Sequence, residues 1–413
     1  MISLGSIYLC YLIGRKLVNK QTGLVAALIM ALLPLHLTNS VRIVPNMLLL
    51  LLTACTIYCS LLYLHSDRRS GRWLILSSVF AGLSLGTKYL FIAPLAPILS
   101  KWLRDLDNGR EFFDKRLLII IAVAAAAFFI STPFSIISFD EFIRDINFER
   151  MHYKEGHPGA ETSFAIFRFL KYLLFHGATP LLFAVCLAGI AWSTKDKSRE
   201  SLVIYSIPVL WFFYAGTYKV TFAHNILTFS IALSIGGAYV LSKINNRKLQ
   251  ILLIAAIAAY PAIIDFGHIK QRIKPDIRHA AEKWVNSNLL AGSKIGQEVY
   301  TCFPDSKKVD VVFSGICGTS YMTSDSIRAL GYDHLIMASH SRFSSDLDKY
   351  ADKIANNESH LKEFEEVKVF NPGKEYQGDV FRILKFHYRY NLLFPTISPI
   401  SLYILRFHPF NIG

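Results

Sequence analysis

Arg42, Lys88, Lys219 and His224 each stand at the edge of a long apolar run. Burying a charge in such a run costs about 2.5–3.5 kcal/mol at a membrane helix centre, so one near the run is paired, wet or put to use. Lys88 is the sharpest case. In GLSLGTKYLF it separates two apolar runs and has little room to reach water. Should the chain bring all four to one membrane face, the cluster would suit a phosphate or diphosphate at headgroup depth. The plainer use of any one of them is to snorkel to the interface.

A second group is compact in sequence. The stretch HYKEGH supplies His152, Tyr153, Glu155 and His157 beside flexible glycines. These side chains can move protons and hydrogen-bond a sugar or another acceptor. His152 and His157 also offer two imidazoles to a divalent metal, but the sequence shows no third ligand, so no resident metal or other cofactor is assigned.

Ten apolar runs must position these residues, at 1–14, 22–40, 43–64, 73–87, 89–100, 117–139, 172–194, 201–218, 220–242 and 249–264. About 20 apolar residues cross a bilayer as a helix, so the expectation is a polytopic α-helical membrane protein of about ten spans. Pro34, Pro94, Pro97, Pro133, Pro180 and Pro208 lie within or at the ends of those runs, where neighbouring helices can satisfy the freed backbone groups.

The connections sort by charge. Loops 15–21, 65–72, 101–116, 195–200 and 243–248 carry seventeen Lys and Arg residues. The opposite set consists of three short connections, holding Arg42, Lys88 and Lys219, and a longer loop at 140–171. The positive-inside rule puts the first set in the cytoplasm. The four cations, the long loop and everything after residue 267 are then outside the cell's inner membrane. Within the long loop, 140–150 suits a short helix, Gly156, Pro158 and Gly159 break it, and 163–174 reads as an amphipathic interfacial helix.

After residue 267 the pattern changes. Pro275-Asp276 opens a helix to about Asn288, with Ala280, Ala281, Trp284 and Val285 on one face. Strand-like runs follow at 294–300, 309–314, 334–339, 367–371 and 379–385, with helical patterns at 324–330 and 344–364. The organisation expected is a transmembrane domain over 1–267, an extracytoplasmic α/β domain over 268–390 and an apolar, interfacial tail over 391–413. No P-loop or glycine-rich dinucleotide turn occurs in 268–390, which reads as an accessory or recognition domain. Outside the cytoplasm, Cys302 and Cys317 could form a disulfide.

Composition agrees with a membrane protein. Hydrophobic residues make up 53% and charged residues 18%, against about 25% charged in soluble domains. The net charge of +14 would suggest nucleic acid in a soluble chain. Here much of the excess sits in short loops, where orientation explains it, and no nucleic-acid partner is expected.

Several stretches resemble the dolichyl-phosphate-mannose protein mannosyltransferase superfamily, the lipid-phosphosugar-dependent glycosyltransferases of C-type fold. They are SIYLCYLIGRKLVNKQTGLVAALIMALLPLHLTNSVRIVPN, AGLSLGTKYLFIAPLAP, HYKEGHPG and YKVTFAHNILTFSIAL. PDIRHAAEKWVNSNLLAGSKIG, GYDHLIMASHSRF and GDVFRILKF are similar to the outer domain of prokaryotic members. The resemblance runs over about residues 1–387 and rests on the order of features.

It implies a glycosyltransferase of hexosyltransferase type, drawing on a polyprenyl-phosphate-linked monosaccharide. The acceptor would be a glycan, lipid or protein at the outer face. It also implies that Lys88, in the family's Thr-Lys-Tyr position, contacts the lipid phosphate. The family's catalytic carboxylate lies in its first outer loop, between its first two spans, and this chain matches from the second span onward. No catalytic residue is therefore carried over, and an N-terminally truncated, inactive form is one expectation. Asn46 stands where members commonly carry Asp, and His224-Asn225 where many carry Arg-Tyr. The competing reading is a non-catalytic polyprenyl-phosphate-binding or scaffold relative. A transporter ranks last, because no internal repeat is evident.

Overall fold

The computed structural model describes residues 1–66, 71–155, 164–298, 301–313, 318–337, 350–370, 381–386 and 402–405. The chain divides into two compact units, Met1–His157 with Glu161–His268, and Ile269–Gly413 with Pro158–Ala160.

The first unit is helical. In order it contains α1 (Ile2–Leu17), α2 (Lys20–Leu32), α3 (Pro34–Ser40), α4 (Asn46–Leu64), α5 (Gly71–Lys88), α6 (Leu95–Asp107) and α7 (Lys115–Ser131). There follow α8 (Phe134–Ile137), α9 (Phe139–Glu155), α10 (Ala165–Tyr172), α11 (Pro180–Asp196), α12 (Ser198–Ala215), α13 (Phe229–Ser242) and α14 (Arg247–Arg272). Each of the ten apolar runs is wholly or partly helical. Among the described residues, two helices are long and apolar enough to cross a membrane, α4 and α14, or four spans if each bent pair counts as one. The fold is that of an α-helical membrane protein.

The bends have local causes. Pro34 cannot donate to the α2 ladder, and α2 and α3 meet at 62°. The run 172–194, expected as one span, breaks at Thr179, whose φ of +79° and following Pro180 turn the chain by 119°. A single π-helical turn, Leu173–Gly177, precedes that break.

The core lies where helices are apolar on every side. Almost all of α13 is buried, from Phe229 to Leu241, as expected of a helix without a polar face. It meets α11 at a glycine contact: a Cβ added to Gly189 would fall 1.7 Å from the Gly236 carbonyl oxygen. α5 and α7 cross similarly, with Gly82 against the Ala124 carbonyl. Small residues let helix backbones approach this closely, and dispersion between them replaces the hydrophobic drive that lipid removes.

The basic stretch 101–116, expected as a loop, is helical through Asp107, because its charges are paired. The fully buried Lys101 ammonium lies 2.8 Å from Asp105 and 3.0 Å from Asp114. Arg116 closes the network at 2.8 Å from Asp105 and 2.6 Å from Asp114. Asp114 also caps α7 by accepting from the backbone N–H groups of Arg116 and Leu117 at 3.0 and 3.3 Å. Partial burial works against its charge, but the hydrogen bonds from Lys101 and Arg116 prevail and hold its carboxyl down to about 2. Arg104 lies over the Tyr63 ring, 4.7 Å from its centroid.

The second unit is α/β. It contains α15 (Ile277–Asn288), β1 (Lys294–Gln297), β2 (Asp310–Phe313), α16 (Ser324–Ala329), β3 (His334–Met337), α17 (Ala351–Glu363), β4 (Phe364–Phe370), β5 (Phe381–Phe386) and β6 (Leu402–Leu405). The sheet order is β2-β1-β3-β5-β4. The first three strands are parallel; β5 runs antiparallel to both β3 and β4. Asp276 caps α15, which buries Ile277, Ala281 and Val285 with Ile295 and Ile336 of the sheet. In the tail, Leu402–Leu405 pairs with β5. Cys302 is buried, and Cys317, the other half of the expected disulfide, lies outside the described residues.

Two tests follow from this packing. Gly189→Val should abolish recovery of monodisperse protein from membranes, read by size-exclusion chromatography in detergent. Gly71→Ala, with open space at its Cβ position among the described residues, should not. Because the folded pKa of Asp114 is depressed, its contribution is complete above the unfolded carboxylate value of about 4 and is lost as pH falls through about 2. Asp114→Asn should lower thermal stability by an amount that shrinks between pH 5 and pH 2; an equal loss at both pH values contradicts the assignment.

Candidate functional site

The site begins where α5 stops. Its last residue, Lys88, is half-buried, and its ammonium donates to the Asn46 side-chain oxygen at 3.0 Å. Asn46 opens α4 directly after Pro45. The helix therefore starts with a buried amide carbonyl aimed at a cation (Asn46 is 6% exposed). Tyr89 then adopts φ of +50°, the left-handed conformation that glycine usually supplies after a helix, while its N–H still bonds the Leu85 carbonyl at 2.8 Å. That geometry costs a non-glycine residue about 1–2 kcal/mol.

Around Lys88 the structure gathers part of the expected cation group. His224 occupies a single 3-10 turn, Ala223–Ile226, within electrostatic reach of both Lys88 and Arg42, and stacks on Phe222 at 5.3 Å between centroids. Arg42 follows α3, is exposed, and also acts on the Tyr172 phenol. Lys219 is exposed, and the described contact of its residue is the backbone one, its N–H bonding the Tyr153 carbonyl at 3.1 Å.

The HYKEGH group does not act as one loop. No breaker precedes Gly156, so α9 continues through His152, Tyr153 and Glu155. Successive residues rotate by about 100° around a helix, which separates them. Tyr153 points at Asn225, its hydroxyl donating at 3.4 Å. Glu155, about 200° around the helix from Tyr153, is exposed. The His152 ring centroid lies 5.5 Å from that of Tyr153, and His157 is outside the described residues. Among the described residues no three His, Cys, Asp or Glu side chains are grouped to hold a metal.

Two features escape sequence reading. The first is an aromatic wall. Tyr153 lies 4.6 Å from Tyr218, Tyr218 is 5.3 Å from Tyr214, and Tyr214 is 4.9 Å from Phe91 and 5.3 Å from Trp211. The Trp211 indole N–H donates to the Asn225 carbonyl at 2.8 Å, locking the wall to the His224 turn. The i, i+3, i+7 spacing of 211, 214 and 218 was a signal, but it equally suits core packing. The second is Glu149, exposed on α9 yet within electrostatic reach of Lys88, Tyr89 and Tyr153.

A phosphate-sized anion beside Lys88 would thus meet the His224 ring, kept neutral by burial and by the charges of Lys88 and Arg42, and an aromatic surface on which a sugar ring or an isoprenoid chain can lie. The architecture defines the class first: a helical membrane protein with the glycosyltransferase C-type fold. ArnT from Cupriavidus metallidurans in the apo state matches with TM-score 0.51 at 10% identity, over 88% of this chain and 75% of that one. ArnT bound to undecaprenyl phosphate matches with TM-score 0.46 at 14% identity, over 69% and 56%. AglB from Archaeoglobus fulgidus, in complex with an inhibitory peptide and a dolichol-phosphate, matches with TM-score 0.42 at 14% identity, over 70% and 50%.

Residues 1–136 match the model of the dolichyl-phosphate-mannose-protein mannosyltransferase family. The chain spans between half and three quarters of the length of those solved proteins. No curated protein matches it.

The strained turn after Lys88 can be tested without any ligand. Tyr89→Gly and Tyr89→Ala both remove the ring that meets Phe142 at 6.1 Å. Glycine alone relieves the positive φ, so Tyr89→Gly should be more stable than Tyr89→Ala by about 1 kcal/mol in thermal unfolding. Equal stability would show that the turn carries no strain.

Proposed function

We propose that this chain is a membrane glycosyltransferase that moves a monosaccharide from a polyprenyl-phosphate carrier to an acceptor on the outer face of the inner membrane. The observation carrying this reading is Lys88, held by Asn46 at the end of α5, with His224 in electrostatic reach of both Lys88 and Arg42. A cation set of that kind matches the charge of a lipid phosphate. The named ligand of one ArnT structure, undecaprenyl phosphate, and that of AglB, a dolichol-phosphate, are of the same class.

The reading extends to topology. Ten spans over 1–267 put the basic connections inside and Lys88, Arg42, Lys219 and His224 outside. The unit after residue 268 is then extracytoplasmic and recognises the acceptor. In mechanism, the acceptor oxygen attacks the anomeric carbon of the donor sugar, and the bond to the phosphate oxygen breaks. Lys88 gathers the charge that develops on the departing phosphate, with Arg42 and Lys219 as auxiliary cations and the neutral His224 as a hydrogen-bonding group for the phosphate. Tyr153, His152, Glu155 and His157 are assigned to the acceptor side.

One observation favours a second reading, a lipid-phosphate-binding relative without transfer activity. Asn46 holds Lys88 through a neutral amide, where family members commonly present a carboxylate. Transfer assays with polyprenyl-phosphate mannose, glucose, galactose and aminoarabinose separate the two readings.

Binding tests what both share. The full chain in nanodiscs should bind undecaprenyl phosphate and not undecaprenol, and Lys88→Ala should weaken that binding by tenfold or more. Unchanged affinity in the variant removes Lys88 from the site.

A further inference from the structure

Two basic connections, 15–21 and 243–248, meet at one end of the helical unit. The Gln21 side-chain amide donates to Gln250 at 2.6 Å, and Gln250, only 5% exposed, donates in turn to the Leu241 carbonyl at 2.8 Å. Beside this bridge lies a polar pocket of about 220 Å³, which Asn19, Thr22 and Ser242 also line. An apolar groove of about 240 Å³ runs along the seam of α2, α11 and α14, past Leu28, Leu32, Leu182, Ile254 and Ala258. Val25 lines both, so the two spaces are contiguous. On α2 the lining falls at 21, 25, 28 and 32, and on α14 at 250, 254 and 258; each set is one stripe of a helix. Three cations stand within one turn of the polar pocket. Lys20 precedes Gln21, Arg247 and Lys248 precede Gln250, and all three are exposed. Lys243, next to Ser242, is taken up by Asp196 at 2.8 Å. Among the described residues no acidic side chain pairs with Lys20, Arg247 or Lys248.

We infer that this seam is a second lipid site, which takes an anionic phospholipid from the leaflet that holds the basic connections. Its phosphodiester sits in the polar pocket and one acyl chain lies in the groove. Dimensions decide the occupant. Val25 to Leu32 covers about 10 Å of helix, so 240 Å³ spread over that length is a channel about 5 Å wide. A hydrocarbon chain fits that width; a partner helix, about 10–12 Å across, does not. From Gln21 to Leu32 the stripe is about 17 Å long, close to the ~15 Å of hydrocarbon in one leaflet. Charge decides the head group. Lys20, Arg247 and Lys248 favour a net negative lipid, as basic pockets between membrane helices do. Asn19 spends its side-chain oxygen on the Thr22 N–H and hydroxyl, at 2.9 and 3.1 Å, which leaves its NH2 group to donate to a phosphate oxygen. The site is separate from that of Lys88: α2 begins here and leads through α3 to Asn46. Naming the leaflet uses the orientation proposed above; the site itself does not depend on it.

The experiment uses the full chain, stripped of lipid in detergent and titrated with dioleoyl-phosphatidylglycerol or dioleoyl-phosphatidylcholine, with bound lipid counted by native mass spectrometry. One phosphatidylglycerol should bind saturably, and phosphatidylcholine at least tenfold more weakly. Leu28→Trp fills the groove from an exposed position, and Arg247→Gln with Lys248→Gln removes two of the cations. Each should weaken phosphatidylglycerol binding by tenfold or more; if Leu28→Trp fails to fold, the charge variant decides. Leu118→Trp, exposed on α7, and Arg110→Gln with Lys115→Gln, in another basic connection, should stay within twofold of the wild type. Lys88→Ala should do the same, and loss of binding in it would place the lipid at the first site and overturn the inference. Equal binding of the two lipids overturns it, as does wild-type affinity in either the folded Leu28→Trp or the charge variant. Displacement of phosphatidylglycerol by an equimolar amount of undecaprenyl phosphate would make the seam a carrier site, and a dimer that Leu28→Trp dissolves would make it an interface between copies; both results also contradict the assignment.

Discussion

A lysine ammonium at the end of an apolar helix has to be compensated, and the arrangement around Lys88 follows from that need. Asn46 meets it with a single neutral acceptor at 3.0 Å. A carboxylate there would pair the charge outright and oppose the approach of an anion. An amide oxygen satisfies one of three ammonium donors and leaves the positive charge available. Because Asn46 is the first residue of α4 and Lys88 the last of α5, that hydrogen bond also sets the ends of two closely packed helices against each other. The strained Tyr89 turn falls one residue later, as happens where surrounding packing holds an unfavourable backbone conformation in place.

The rest of the helical unit reads as support for that end. Glycine contacts between α11 and α13 and between α5 and α7 bring backbones together without apolar driving force. Trp211 bonds the Asn225 carbonyl, and Tyr153 bonds the Asn225 side chain, so the His224 turn is tied to α12 and α9 at once. At the other end of α6, Lys101, Asp105, Asp114 and Arg116 neutralise one another. Charges of both signs are used in opposite ways within one unit. In the α6–α7 network they cancel, and around Lys88 they are left partly open.

Much of this was legible from residue types. The apolar runs marked the helices, and Lys88 stood out as a charge without an evident partner. The strand runs after residue 290 found five of the six strands among the described residues. Legibility ended where long-range packing decides. Lys101 and Arg104 looked like loop cations, and only their partners Asp105, Asp114 and the Tyr63 ring show why the helix continues past them. The HYKEGH stretch looked like a loop, yet helix continues until Gly156, and that rotates Glu155 away from Tyr153. The Leu402–Leu405 strand was hidden by the prolines and aromatics around it.

Sidedness bears on all of this, since a lipid phosphate can reach Lys88 only if the α9 face and the basic connections lie on opposite sides of the membrane. Single cysteines at Lys154 and Lys197, introduced with the native cysteines replaced by serine, report each side directly. In intact cells a membrane-impermeant maleimide should label Lys154→Cys and leave Lys197→Cys unlabelled until the membrane is opened. Labelling of Lys197→Cys in intact cells, with Lys154→Cys protected, would contradict the proposed orientation and the outer-face site with it.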